Sequence, residues 1–552
     1  MADETGRPAG VHRPGDRVYR PVRRPTGPSA LPTELEPARE RQRGAAAAHR
    51  PGDKIVRVVR GRELTLRRVI GVGGLFATGY GNVGSSIYYA LGVTTLFALG
   101  AAPLALGVAG LFFILTVLTY TEATVAMPEA GGASSFARHG FNEMVSFVAG
   151  WATLMSYTVT ISISVYSAAG YMAVFFPVLK QPAPHVAVAV AAIVLLMALN
   201  ILGIQEATGF SLIFAAIDLA IQVVLVILGT MFLLNIDRLI SQVNFGVAPT
   251  WPDFVYGIAV AMVAYTGIET ISNMAGEARA PARTVPRSYA GLIFAVLVLF
   301  IGISTVALSA FPVECVDGRC STELATTYLD DPVAGIAERM PPPFNHILAP
   351  IVGILASSIL LIAANAGVIG VSRLAFSMGA HQQLPHVFTR IHSRFGTPYI
   401  AITIFSVAAV LLVLPGSITQ LSEAYVFAAM LTFTLAHLSL IGMRVRKPGL
   451  YRAFKVTLGL PIAGRDIPLT AVAGCLGTAS VWVLVVVTYP FGRWVGLAWM
   501  ALGIALYVLY RRRLRLPLGA TVSAIPSLTM VQLERPYGEP PPQEHSGRPT
   551  RT

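Results

Sequence analysis

Charge is scarce in this chain. Of its 552 residues only 12% are Asp, Glu, Lys or Arg, while 54% are hydrophobic, and the mean hydropathy is +0.64. That shortage excludes an ordinary soluble globule and points to a polytopic membrane protein. Cysteine is scarce as well: Cys315, Cys320 and Cys475 form no metal-ligand spacing. No Walker motif, Ser/His/Asp arrangement of recognisable spacing or His/Cys cluster stands out, so neither a membrane enzyme nor a metal or other cofactor is expected. No cleavable signal peptide is visible. A net charge of +13 would suit a nucleic-acid partner, but the basic residues stand at the ends of apolar runs and in the tails, where they set orientation instead.

What is present is a series of apolar runs, each near the roughly 20 residues needed to cross a bilayer. Twelve spans are predicted, in an all-α integral membrane fold. Five lie in about 69–235, five in about 252–443 and two more in about 467–510. Residues 1–53 are basic and Pro-rich and are expected to be disordered, as are 516–552, which leaves 54–515 as the twelve-helix membrane domain. Lys54 to Arg68 alternates basic and apolar residues and suits a positive anchor or a short amphipathic helix on the inner leaflet. Arg279, Arg283, Arg287, Arg390, Arg394, Arg444, Arg446 and Lys447 fall on the side of the N-terminus, and the largest loop opposite, near 312–345, is acidic. This asymmetry predicts cytoplasmic N- and C-termini in a bacterial-type inner membrane. Within that outer loop Cys315 and Cys320 are close enough to pair, and either a disulfide or two free thiols fits the spacing.

The first span carries Gly79-Tyr80-Gly81-Asn82-Val83-Gly84-Ser85-Ser86 at its centre. Three glycines weaken a helix by roughly 1 kcal/mol each relative to Ala. Two readings suit such a segment. Small residues let a neighbouring helix approach closely, or the helix breaks at mid-depth and its backbone meets a ligand, as in transporters with inverted repeats. Five spans later comes Tyr265-Thr266-Gly267, followed by Glu269, an acid at membrane depth. An intramembrane acid is costly and marks function by default, although capping a half-helix is the plainer role. Interruptions in spans one and six predict a 5+5 inverted repeat with two added helices.

These residues carry a resemblance. Val83-Gly84-Ser85-Ser86-Ile87, Tyr120-Thr121-Glu122 followed by Pro128-Glu129-Ala130-Gly131-Gly132, Gly150-Trp151 and Asn200-Ile201-Leu202-Gly203 follow one another in order. So do Tyr265-Thr266-Gly267-Ile268-Glu269, the loop Glu277, Pro281, Arg283, Pro286, Arg287, and Ser372-Arg373. Together they resemble the amino acid–polyamine–organocation permeases, over most of the chain; where Ser86 stands the family often has Gly. The resemblance implies the leucine-transporter-type architecture and alternating access. It also implies a substrate carboxylate held by backbone N–H groups at Gly84, Ser85, Ser86 and Ile87. Exposed carbonyls at Tyr265, Thr266, Gly267 and Ile268 would then hold the substrate ammonium.

The partners implied are a small amino acid, protons and membrane lipid, in a monomer or homodimer. Glu269, Asp218 in the fifth span and Glu122 in the second are the candidate proton carriers. His437 and Asn365 read more simply as packed or bridging residues. A second function is potassium uptake, since potassium carriers of the same superfamily look similar around helix one. They have an acid where this chain has Asn82, which makes Asn82 the residue to watch. A third is a ligand sensor that does not transport.

Overall fold

The computed structural model describes residues 70–521, apart from 130, 204–207, 318 and 463–464 and the side chains of 208–210 and 462. The lead at 54–68, the tail at 1–53 and most of the tail at 516–552 lie outside the described residues.

Helices dominate what is described. Ten stretches are long and apolar enough to cross a membrane, and a shorter apolar helix, Tyr399–Val413, is added to them. The first stretch, Val72–Ala126, folds back on itself. Helices α1 (Val72–Val83) and α2 (Ile87–Ala98) run in one direction and α3 (Ala102–Ala126) returns. The reversal is made at Leu99, which takes a positive φ of 47°. Only the short 3₁₀ turn Leu99–Ala101 separates the first two spans.

A short helix α4 (Ala133–Gly140) leads into α5 (Glu143–Met172), followed by α6 (Pro182–Ile201), α7 (Thr208–Phe232) and the short α8 (Ile236–Ser241). The second run holds α9 (Trp251–Ala261), α10 (Glu269–Asn273), α11 (Pro281–Ala310), α12 (Pro332–Glu338), α13 (Phe344–Ala380), α14 (Tyr399–Val413) and α15 (Ile418–Arg446). Helices α16 (Leu469–Thr488) and α17 (Pro490–Arg513) complete it. Helix α5 ends at Met172, and a separate 3₁₀ turn starts at Pro177.

Burial separates the helices into an inner and an outer set. The apolar window of α5 is 83% buried, against 28% for α6, α7 and α17. Without water in the hydrocarbon layer, an apolar outer face is the stable one, and Leu195, Ile213 and Leu502 stand exposed there. The inner set carries serine and threonine hydroxyls that bond back to the preceding turn, such as Thr153 to Ala149 O and Thr158 to Leu154 O. That satisfies buried hydroxyls without a second helix.

Two hairpins close opposite ends. Strands β1 (Glu314–Val316) and β2 (Arg319–Ser321) pair with Cys315 opposite Cys320, and the two cysteines form a disulfide. The loop beyond them rests on α2: Tyr171 OH donates to Tyr88 O at 2.7 Å and accepts from Val333 N at 3.2 Å. Strands β3 (Gly459–Ile462) and β4 (Arg465–Pro468) follow α15 at the other end. The first residues of the predicted C-terminal tail are not loose. Arg511 donates to Pro517 O and Ala520 O, and Tyr507 OH to Leu518 O, so the fold continues to Thr521.

Candidate functional site

Helix six breaks completely. After α9 a 3₁₀ turn covers Met262–Tyr265, Thr266 is extended at φ −83° and ψ 161°, and Gly267 has φ +98°. Only glycine takes that φ without strain. Space demands it too, because a Cβ on Gly267 would stand 2.8 Å from Asn82 Nδ2. The freed backbone groups find local partners: Thr266 N donates to Val263 O, Thr270 N to Gly267 O and Tyr289 OH to Ile268 O.

Helix one behaves differently. Gly84–Ser86 form a 3₁₀ turn between α1 and α2, and Val83, Gly84, Ser86 and Ile87 all keep right-handed helical angles. The expected break is a tightened turn. The Ser85 and Ser86 hydroxyls fold back onto Asn82 O at 3.1 and 3.4 Å. These bonds offer the backbone a local alternative to the 3.6-residue helix.

The two interruptions meet. Asn82 Nδ2 donates to Thr270 Oγ1 at 2.7 Å and to Gly267 O at 3.4 Å, so one amide joins helix one to the broken backbone of helix six. Hydroxyls gather beside this junction from four helices. Tyr89 OH donates to Ser86 Oγ at 2.9 Å, Thr160 Oγ1 to Tyr425 OH at 2.7 Å, and Thr266 lies within reach of both phenols. Tyr265 points away: its OH donates to Leu106 O, and its ring lies 5.0 Å from Phe113 and 5.3 Å from Phe300. Only its backbone belongs to the junction. Ile268 is fully buried.

The three candidate acids fall in three different settings. Glu269 begins α10 directly beyond the break and is 4% exposed, and its Oε2 has no hydrogen-bond partner among the described residues. Asp218, on α7, accepts from Tyr88 OH at 2.5 Å, Gln222 Nε2 at 2.8 Å and Tyr80 OH at 3.3 Å. Gln222 also reaches Gly84 O at 3.5 Å. Asp218 and Gln222 thus hold helix one on both sides of its 3₁₀ turn. Glu122 is remote from this junction. Arg444 grips both of its carboxylate oxygens, Arg452 approaches at 3.6 Å and Val456 N donates at 2.9 Å. That pair ties α3 to α15 and to the segment before β3. The expectation of Glu122 as a proton carrier fits poorly with a carboxylate so fully neutralised.

His437 and Asn365 are bridging residues. His437 shares its ring nitrogens with Thr119 and Thr116, and Asn365 accepts from Asn200. Several contacts were invisible to sequence reasoning: Tyr80, Tyr88, Gln222, Tyr89, Tyr425 and Arg444. One signal existed. Tyr80, Gly84 and Tyr88 recur every four residues, and so do Asp218 and Gln222, so each set lies on one helical face.

Residues 64–509 match the family model described as amino acid permease. The chain belongs to the amino acid permease family. It is a membrane transporter of the amino acid–polyamine–organocation group. Relatives include the branched-chain amino acid permease BcaP of Bacillus subtilis, 23% identical over 82% of this chain and 94% of the relative. The serine/threonine exchanger SteT of the same organism is 24% identical over 71% of this chain and 85% of its own length. The potassium transporter KimA, also of Bacillus subtilis, is 26% identical over 60% of this chain and 53% of the relative. Among solved structures, an Eremococcus coleocola manganese transporter is 12% identical, with a TM-score of 0.46 over 81% of this chain and 94% of that one. The nucleobase-cation symporter Mhp1 is 16% identical with a TM-score of 0.46 over 82% and 95%.

Proposed function

We propose that this permease carries an amino acid across the cytoplasmic membrane by alternating access, driven by protons, in a twelve-span fold with a 5+5 inverted repeat and both termini cytoplasmic. The observation that carries the proposal is the Asn82 amide bridging to Gly267 O and Thr270. An amide N–H on a carbonyl of the break, one that also accepts from Thr270 N, occupies the position a substrate ammonium would take. Arrival of the ammonium replaces that donor and releases helix one from helix six. The substrate carboxylate meets backbone N–H groups of Gly84, Ser85, Ser86 and Ile87, where a half-helix N-terminus supplies positive potential. The carbonyls of Tyr265, Thr266, Gly267 and Ile268 serve the other end.

Glu269 is the proposed coupling acid. An unpaired buried charge is costly, and a proton removes that cost. Loading from outside and release inside then accompany the opening of the junction to each side in turn. Asp218 has a second role in this reading, anchoring helix one.

A second reading is potassium uptake. The converging oxygens of Ser86, Tyr89, Thr160, Thr266 and Tyr425 favour it, and a neutral Asn82 turned as a donor disfavours it. Uptake by purified protein in liposomes with an imposed pH gradient tests both. Labelled amino acids, polyamines and a potassium analogue are screened with and without an ionophore. Accumulation of an amino acid that collapses with the proton gradient supports the proposal. Accumulation of only the potassium analogue replaces it, and saturable binding with no accumulation makes the chain a sensor.

A further inference from the structure

A cavity of about 660 Å³ opens at the end of the bundle that holds α4 and the end of α15. Its walls include Glu129, Arg138, His139, His381, Arg446 and Lys447. The central transport site uses none of them. Five nitrogen-bearing side chains face one carboxylate, and that carboxylate is already engaged. Glu129 accepts from Ser135 Oγ at 2.9 Å and lies 3.4 Å from His139 Nε2. His139 is the main cause of holding the Glu129 carboxyl down at about 2, against the effect of burial.

The two arginines are fixed rather than free to swing. Arg446 Nη1 donates to Gly140 O at 3.1 Å, and its guanidinium lies 5.0 Å from the Phe141 ring centroid. Arg138 Nη1 donates to His381 Nε2 at 3.1 Å, and His381 Nδ1 donates to Ser377 O at 2.8 Å. In this arrangement the imidazole is neutral, with its proton on Nδ1. Burial first, and the Arg138 charge second, hold its pKa below the ordinary histidine value, while Glu143 and Glu129 pull the other way. Glu143 is itself buried, 3.4 Å from Arg138 Nε.

We infer that this cavity is an anion site that takes a phosphate group, either the headgroup of an anionic phospholipid or a free phosphate. The chemistry is that of two pre-placed guanidinium groups around a hollow, with exposed Lys447 on its wall, and Arg in particular suits phosphate oxygens. Basic pockets between membrane helices on the cytoplasmic side are suited to anionic headgroups, and the basic loops of this chain fall on that side by the positive-inside pattern. The site is separate from the proposed amino acid site and does not depend on it.

Two arms test the inference on full-length protein. In the first, protein from nanodiscs of mixed phosphatidylglycerol and phosphatidylcholine is released into the gas phase and its retained lipids are counted. Wild type is expected to keep phosphatidylglycerol in preference, and the double substitution Arg138→Gln, Lys447→Gln to lose that preference by about tenfold. Lys447→Gln alone, at an exposed position, is the second variant should the double one not remain monodisperse, and a smaller loss is expected from it. In the second arm, inorganic phosphate is added to detergent-solubilised protein and the histidine ring signals are followed, with His381→Gln assigning the resonance. A bound anion offsets Arg138, so the His381 pKa moves up. A lipid preference without a phosphate response names the headgroup as the source, and a phosphate response without a lipid preference names the free anion. Equal lipid retention by wild type and variant, together with an unmoved His381 titration, overturns the inference.

Discussion

Helices one and six are interrupted beside one another, yet by different means. Helix six leaves helical angles altogether, with Thr266 extended and Gly267 at φ +98°. Helix one merely tightens into a 3₁₀ turn. Glycine content does not account for the difference, since helix one carries more of it. Gly84 is needed for space: a Cβ there would stand 2.6 Å from the Tyr80 ring, while its backbone stays right-handed. Gly267 is needed for both conformation and space. The surroundings also differ. Asp218 and Gln222 grip helix one from both sides of its turn, whereas Glu269 beyond the break in helix six has one oxygen without a partner among the described residues. Helix one is held by a carboxylate and an amide of α7, while the break in helix six is held by the Asn82 amide and the Tyr289 hydroxyl; in the proposed reading helix six is the element that responds to substrate and proton.

The largest effect is expected at Gly267. Gly267→Ala imposes a positive φ on a residue with a Cβ and pushes that Cβ into Asn82. About 2–5 kcal/mol of stability should be lost from strain and overpacking together, and uptake should be abolished in whatever folds. Thermal unfolding and liposome uptake measure the two. Glu122→Gln should cost somewhat less, about 2–4 kcal/mol, because buried Arg444 loses its two-oxygen partner and keeps only Asp466 at 3.0 Å and Val456 O. The protein that survives should still couple uptake to protons. If its coupling is lost while its fold is kept, Glu122 belongs to the proton path and the separation of roles drawn above fails.

Gly84→Ala should be milder, about 1–3 kcal/mol, since overpacking is the only penalty. If Gly84→Ala proves as damaging as Gly267→Ala, helix one depends on backbone freedom as helix six does. Asp218→Asn weakens three hydrogen bonds to a carboxylate and should cost about 1–3 kcal/mol. A looser helix one should then show faster amide exchange around Tyr80 and Tyr88, which hydrogen-exchange mass spectrometry reads directly.

The smallest effect on transport concerns the outer loop that rests on helix one. Burial is the main reason the Asp331 carboxyl titrates at about 7 rather than at 3.8, with Asp330 and Glu338 adding to it and Lys180 opposing. An acid raised on folding disfavours the fold once it is ionised. Stability should therefore rise as pH falls from about 7 toward 3.8, and the penalty should be complete above about 7. In Asp331→Asn that part of the pH dependence of thermal unfolding should vanish.

Much of the fold was legible in the amino-acid order, because a bilayer demands long apolar runs and the charges between them are confined to the ends. The position of both interruptions was legible too, from Gly84-Ser85-Ser86 and from Thr266-Gly267. Their character was not. Whether a glycine-rich segment opens or tightens depends on what grips it, and here the grip comes from Asp218, 130 residues beyond Tyr88 in sequence. Glu122 shows the same limit more sharply. Its partner Arg444 lies 322 residues away, so an acid that reads as a proton carrier in one helix also braces two helices once the bundle forms. Tyr265 sits at the motif's expected place, but its side chain serves α3 instead of the junction.

The most direct measurement compares Glu269→Gln with wild type in one liposome preparation, under two driving conditions. Counterflow exchange of the transported amino acid needs the junction but no net proton movement, and it should persist in the variant. Accumulation driven by an inside-alkaline pH gradient needs the coupling acid, and it should be lost. Gradient-driven accumulation retained by Glu269→Gln, with the pH dependence of wild type, would contradict the assignment of Glu269 and with it the proposal that helix six carries the coupling.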